Sequence, residues 1–241
     1  MPMLDYNEII FYFLLAILPG IVWLGYFLRK DNLPEPKFQV LKVFTLGMVA
    51  TVPAAFLEII LLKHLSALQL ETIPYFFIKY LLAIALVEEL FKYLIVRYFI
   101  IKQSCVDEPV DIPLYMIISA LGFATAENIL VFSNQIVELS VNPFALIIVR
   151  FIGATFLHAL CSGLIGCFLA LSFYYFKKRW LIIPCGFILA VIFHGLFNFY
   201  IELGIINQKE NLYSLLIVSL LAIIVSPFLK RLKKIKSICK I

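Results

Sequence analysis

Seven long apolar runs, at about 9 to 28, 40 to 62, 75 to 101, 112 to 137, 144 to 176, 181 to 203 and 212 to 229, divide the sequence almost end to end. A helix needs roughly 20 mostly apolar residues to cross the hydrocarbon of a bilayer. The runs therefore read as membrane-spanning helices, and the segments between them are too short for a water-soluble domain. Composition agrees, with 63% hydrophobic residues, 15% charged residues and a mean hydropathy of +1.03; a soluble domain carries roughly a quarter charged residues. The expected fold class is all-α, a polytopic transmembrane helix bundle of about seven spans. There is room for an eighth, because the fifth run is long enough to tilt or to break near Gly153 or Gly163.

The first run follows Asp5 and Glu8 rather than a basic segment, and it is too long for the core of a signal peptide, so it is expected to stay as a helix. Arg29, Lys30 and Lys37 follow the first run, Lys102 the third, and Lys177, Lys178 and Arg179 the fifth. Lys230, Arg231, Lys233, Lys234, Lys236 and Lys240 follow the seventh. These are alternate loops, so the positive-inside rule places the N-terminus outside and the C-terminus in the cytoplasm, with 230–241 a basic cytosolic tail within reach of anionic lipid. The same pattern accounts for the formal net charge of +5 without nucleic acid as a partner. Five cysteines without a Cys-x-x-Cys pair, Cys105, Cys161, Cys167, Cys185 and Cys239, read as packing residues. Ser162, Gly166 and Ala170 form a stripe of small residues that permits close approach of a neighbouring helix.

A charge at the centre of a spanning helix costs about 2.5 to 3.5 kcal/mol on insertion scales, so central polar residues are functional candidates. Glu58, Lys79, Arg97 and Arg150 fall near the ends of the runs, where long side chains reach the interface, and are set aside. Glu88, Glu89 and Lys92 on the third run, Glu127 and Asn128 on the fourth, His158 on the fifth, and His194 and Asn198 on the sixth remain. Each set lies about 13 to 15 residues into its run, roughly 20 Å from the face at which that helix enters. Helices that enter from alternate faces thus bring all four sets to the middle of the bilayer. Glu88 and Lys92 share a helix face, as do His194 and Asn198. Glu89 is about 100° round from Glu88, which predicts that the two carboxylates do not address the same atom.

Carboxylate, imidazole and amide groups are the parts that activate water on a carbonyl and stabilise the oxyanion that forms. Ser162 and Cys161 stand four and three residues from His158, a weak sign of a nucleophile and its base. Intramembrane glutamates and histidines also make proton relays, so a proton-coupled transporter is a rival reading, and a non-catalytic scaffold or immunity protein is another. A hydrolytic site must also receive water, which predicts a cavity open to one side of the bilayer.

These residues carry a family resemblance. Glu88-Glu89-Leu90-Phe91-Lys92 resembles the Glu-Glu-x-x-Lys motif of the PrsW family of bacterial intramembrane proteases, and Phe123-Ala124-Thr125-Ala126-Glu127-Asn128 resembles its Phe-x-x-x-Glu-Asn motif. His158-Ala159-Leu160 and His194-Gly195-Leu196-Phe197-Asn198 are similar to its two histidine motifs, and Asp31-Asn32-Leu33-Pro34-Glu35-Pro36 to its acidic Glu-Pro loop. The likeness runs from about residue 15 to 200. Asn198 departs from the aspartate that some members carry; there the sequence is instead similar to the His-x-x-x-Asn motif of the related CAAX-processing and bacteriocin-processing glutamic proteases.

The resemblance implies one integral membrane protease domain over 1–241 with its site on the third to sixth spans, about 75–203, in the bacterial plasma membrane. It implies hydrolysis of a membrane-anchored protein substrate, such as an anti-sigma factor, with Glu88, Glu89, Glu127, His158, His194 and Asn198 catalytic and Lys92 and Asn128 supporting. Two mechanisms stay open. In a glutamic one, Glu88 or Glu89 activates water with help from Glu127 or His158, and no cofactor is needed. In a metal one, His158, His194 and Glu127 hold a divalent ion, zinc by the chemistry of the donors, and Glu88 is the base.

Overall fold

A computed structural model of the chain describes residues 6–31, 33–103, 105–138, 142–206, 209 and 211–235. Asn32 of the acidic loop, Lys236, Lys240 and Cys239 lie outside the described residues. Among those described, every regular element is helical. Helix α1 spans Tyr6–Arg29 and α2 spans Lys37–Ala67. Then α3, Thr72–Phe77, passes without a break through a π-helical segment, Ile78–Ala85, into α4, Leu86–Phe99. Helix α5 is Asp111–Glu138. Helix α6, Pro143–Val149, continues through a second π segment, Arg150–Ala154, into α7, Thr155–Tyr174. Helices α8, Arg179–Ile206, and α9, Asn211–Leu232, complete the bundle.

Six of these helical runs are long and apolar enough to cross a membrane: α1, α2, α5, the joined α6 and α7, α8 and α9. Large apolar side chains such as Phe38, Val52, Phe56, Ile59 and Ile223 point outward, as lipid requires. The protein is therefore a multi-pass membrane protein. The remaining expected span is the run from α3 to α4, set apart by the Lys79, Glu88, Glu89, Lys92 and Arg97 that it carries. The long fifth run is one helical path. It deforms at the π segment that contains Gly153 and passes straight through Gly163. A π turn releases backbone carbonyls, and in lipid each released group needs a partner. The Trp23 indole N–H supplies one, donating to the Phe151 carbonyl at 2.9 Å while its ring stacks on Phe156.

Helix α5 is the axis of the bundle. Of its most apolar window 72% is buried, against 17% for α1 and 22% for α2, and α1, α2, α4 and α7 all pack on it. Without a hydrophobic force between helices in lipid, close backbone approach decides packing. A Cβ on Gly122 would lie 2.0 Å from the Phe44 carbonyl oxygen, and one on Gly47 would lie 2.2 Å from that of Ser119, so α2 crosses α5 through paired glycines. Gly166 of the small stripe does the same for α7, where a Cβ would stand 2.4 Å from the Pro113 Cα. These contacts bring α4, α5, α7 and α8 around one polar centre.

Candidate active site

Glu88, Glu89, Lys92, His158 and His194 are each no more than 3% exposed, and they touch one another. Lys92 Nζ donates to Glu89 Oε1 at 2.8 Å, to Glu88 Oε2 at 3.2 Å and to His158 Nδ1 at 2.7 Å. A lysine ammonium has donors only, so His158 Nδ1 must be the acceptor. The proton of that ring is then on Nε2, which donates to Glu127 Oε2 at 3.0 Å. His194 Nδ1 donates to Glu89 Oε1 at 3.0 Å, and its Nε2 faces Glu88 Oε2 at 3.7 Å. The His158 and His194 rings meet edge to face with centroids 4.9 Å apart.

Both imidazoles thus follow one rule. A carboxylate, Glu127 or Glu89, holds one ring nitrogen, and the other nitrogen points towards Glu88 Oε2, which is 3.6 Å from His158 Nδ1. Around this core sits a supporting layer. Ser162 donates to Glu89 Oε2 at 2.6 Å, and Ser119 donates to the Lys92 carbonyl at 3.1 Å. Lys92 Nζ lies 4.5 Å from the centre of the Phe123 ring, so the aromatic face takes part in holding the charge. Arg150 donates through Nε to Asn128 Oδ1 at 2.6 Å and through a terminal nitrogen to Glu127 Oε2 at 2.9 Å, and Asn128 donates to Thr155 at 3.1 Å.

Several expectations from the sequence change here. Glu88 and Glu89 do address the same groups, because Lys92 stands four residues from one and three from the other and reaches both despite their 100° offset. Arg150 is a partner of the site rather than a peripheral charge. The π segment turns it inward, where Glu127 and Asn128 accept from Nη2 and Nε along one edge of its guanidinium. Glu58 also lies close enough to feel the charges of Glu127 and Lys92. An arginine three residues before a Gly-Ala pair, with a Glu-Asn pair on the preceding span, is the sequence signal that could have found Arg150. Ser162 serves Glu89 and not His158, so it makes no serine–histidine pair. Asn198, partly buried one turn beyond His194, makes no hydrogen bond among the described residues. Lys79 pairs with Glu202 at 2.8 Å near the surface, away from the centre.

Glu88, His158 and His194 each present one donor atom, all within 4.8 Å of one another. This set differs from the expected one in its carboxylate. Glu127 lies on the far nitrogen of His158 and is drawn to Arg150, so Glu88 stands between the two imidazoles in its place. Two imidazole nitrogens and a carboxylate suit a divalent ion, and the hydrogen bonds that Glu127 and Glu89 make to the outer ring nitrogens are those that orient ligand histidines at metal centres. The residues therefore fit a metal. Lys92 Nζ contacts two of the same three donors.

At the opposite end of α5 the acidic loop meets the bundle. The Tyr115 hydroxyl donates to Glu35 Oε2 at 2.5 Å, and Asp111 Oδ2 caps the turn before α5 by accepting from the backbone N–H groups of Asp107 and Glu108. Burial pushes the Glu35 carboxyl up to about 8; the Tyr115 hydrogen bond opposes the shift, and the neighbouring Asp111 and Asp31 charges add to it.

A multi-pass helical bundle whose buried centre is built from paired carboxylates, a lysine and two carboxylate-held histidines has the form of an intramembrane hydrolase. A sequence profile described as PrsW family intramembrane metalloprotease matches residues 35–225. The chain belongs to that family and is an intramembrane peptidase. It is 30% identical over 184 residues to Protease PrsW of Geobacillus kaustophilus, covering 76% of each chain. Over 190 residues it is 30% identical to Protease PrsW of Bacillus subtilis, covering 76% of this chain and 79% of the relative. A third relative, Protease PrsW of Oceanobacillus iheyensis, is 28% identical over 189 residues, covering 78% of this chain and 81% of its own length. No solved structure matches the chain.

Proposed function

We propose that this chain cuts a peptide bond in the membrane-anchored segment of a regulatory protein such as an anti-sigma factor, in the bacterial plasma membrane, with its N-terminus outside and its C-terminus in the cytoplasm. The observation that carries the site assignment is the convergence of Glu88, Glu89, Lys92, His158 and His194 into one hydrogen-bonded cluster drawn from three helical runs. Two adjacent buried glutamates cost far more in a membrane than helix packing requires.

A divalent ion, zinc by the donor chemistry, held by Glu88, His158 and His194 would supply a more acidic water and a Lewis acid for the scissile carbonyl. All the contacts of Glu88 with Lys92 and the imidazoles run through Oε2, which leaves Oε1 to take the proton of the attacking water. Glu89, tied by Lys92, Ser162 and His194, holds the His194 ring in one orientation. Glu127, braced by Arg150, does the same for His158. Asn198 has an unengaged amide one turn from His194, suited to donate to the carbonyl oxygen as it gains charge. Glu127 and Arg150 have side chains 28% and 15% exposed, which supports entry of water at this end of the cluster.

The test is co-expression with single-pass candidate substrates, comparing the wild type with Glu88→Gln, Glu89→Gln and His194→Ala. The cleavage product should disappear in all three variants while membrane insertion and protein level persist. Equal cleavage in all four strains refutes the site.

A further inference from the structure

Between the α3 end of its run and α8 lies a cavity of about 160 Å³, lined by residues that include Phe76, Tyr80, Leu81, Gly195, Leu196 and Phe199. A cavity of about 150 Å³ with apolar walls is large enough to take up benzene. Its walls belong to two of the helical runs that carry the cluster. Gly195 follows His194 on α8, and Tyr80 sits on the π segment that runs into Glu88 and Glu89. Leu196 and Phe199 stand only about 3 and 8 Å along the axis from His194. The two walls touch at Gly195, where a Cβ would lie 2.4 Å from Leu81 Cδ2 and 3.0 Å from the Tyr80 carbonyl oxygen.

Tyr80, one of the lining residues, also carries an unused polar group. Tyr80 is 4% exposed, its ring stacks on Phe76, and its buried hydroxyl has no hydrogen-bond partner among the described residues. A buried hydroxyl left unpaired is costly and calls for a partner. A membrane-spanning substrate has the complementary need. Its scissile bond can be reached only once the helix is opened, and each carbonyl so released needs a donor in the absence of water.

We propose that this cavity receives one leucine- or phenylalanine-sized side chain of the substrate, two or three residues from the bond that is cut, and that the Tyr80 hydroxyl donates to a backbone carbonyl of the same opened segment. An extended chain advances about 3.3 Å per residue, which sets that spacing. The inference rests on the protease reading above and gives the substrate class its side-chain preference.

The probe is a synthetic single-span leucine–alanine peptide, opened at its centre by a Gly-Pro pair, with one photo-leucine two residues beyond it. It is reconstituted with the full chain in phosphatidylethanolamine–phosphatidylglycerol vesicles, and adducts are mapped by mass spectrometry. Adducts should concentrate on 76–81 and 195–199, above the outward-facing Phe56 and Ile188. Leu196→Trp, and more mildly Leu196→Phe, should fill the cavity and remove them. Tyr80→Phe keeps the ring and should weaken labelling about two- to tenfold, the worth of one hydrogen bond. Labelling spread evenly over the outer faces, or unchanged in both Leu196 variants, overturns the inference. So does labelling of the same residues by a diazirine-bearing phospholipid that the peptide fails to displace, since the occupant is then lipid. Labelling needs no turnover: Glu88→Gln should stop cleavage and keep the adducts, so failure of the protease reading is seen separately.

Discussion

Lys92 is the residue with which a bound metal would contend, because its ammonium touches two of the three donors that fit an ion. An ion taking His158 Nδ1 must break the 2.7 Å hydrogen bond from Lys92, and an ion on Glu88 Oε2 must share an oxygen already 3.2 Å from the same nitrogen. A charge-assisted hydrogen bond is worth about 1.5 to 3 kcal/mol. Removing that obstacle with Lys92→Met should therefore raise the affinity for Co²⁺ or Zn²⁺ about 10- to 100-fold. The metal-free variant should be less stable by about 3 to 5 kcal/mol, because Glu88 and Glu89 lose the cation that neutralises them in a buried site. Bound ion should restore most of that loss. The assay is titration of purified protein with Co²⁺, followed by its visible absorption and confirmed by elemental analysis, alongside thermal unfolding with and without metal. Unchanged or weaker binding in Lys92→Met would show that the ion, if bound, does not contend with the lysine, and would refute the reasoning.

Three further predictions test other parts of the site. If Glu88 rather than Glu127 faces the ion, Glu88→Gln loses it outright, whereas Glu127→Gln keeps it with affinity reduced about 10- to 100-fold, as at other metal sites that lose an orienting carboxylate; equilibrium dialysis distinguishes the two. Arg150→Ala should lower the cleavage rate by about 10- to 100-fold, with partial rescue by Arg150→Lys, which keeps the charge but not the paired hydrogen bonds to Glu127 and Asn128; a rate equal to wild type would return Arg150 to the periphery. The raised Glu35 carboxyl means that the folded state holds a proton the unfolded chain releases near its ordinary 4.5. Its contribution to stability is complete below about pH 4.5 and is lost as pH rises through about 8, with Tyr115, Asp111 and Asp31 facing it. Thermal unfolding should therefore fall more steeply from pH 5.5 to 8.5 in the wild type than in Glu35→Gln, and parallel profiles would contradict that assignment.

Most of the helical architecture is legible in the chain itself. The reason is solvent: in lipid every backbone polar group must be satisfied within its own segment, so the length and spacing of apolar runs nearly dictate the helices. The cost of charge at mid-depth likewise exposes Glu88, Glu89, Lys92, Glu127, His158 and His194 as a set. Periodicity is less informative about which atoms meet. It separates Glu88 from Glu89 by the angle between their Cα–Cβ bonds, but long side chains converge on Lys92 all the same. It sends Arg150 to the interface, because apolar periodicity does not register the π turn that rotates it towards Glu127.

What the amino-acid sequence determined alone is therefore the solvent, the helices and which polar residues are costly enough to stand out, since each depends on short-range backbone hydrogen bonding and on transfer from water. Tertiary structure alone decided the partners: Glu88 rather than Glu127 between the imidazoles, Lys92 in contact with Glu88 and His158, Arg150 behind Glu127, and the Tyr80 cavity between two of the same helical runs. Those choices depend on how closely α2 and α7 approach α5 at Gly122, Gly47 and Gly166 and on the twist of two π segments, and a few ångströms of helix placement select one hydrogen-bond partner over another.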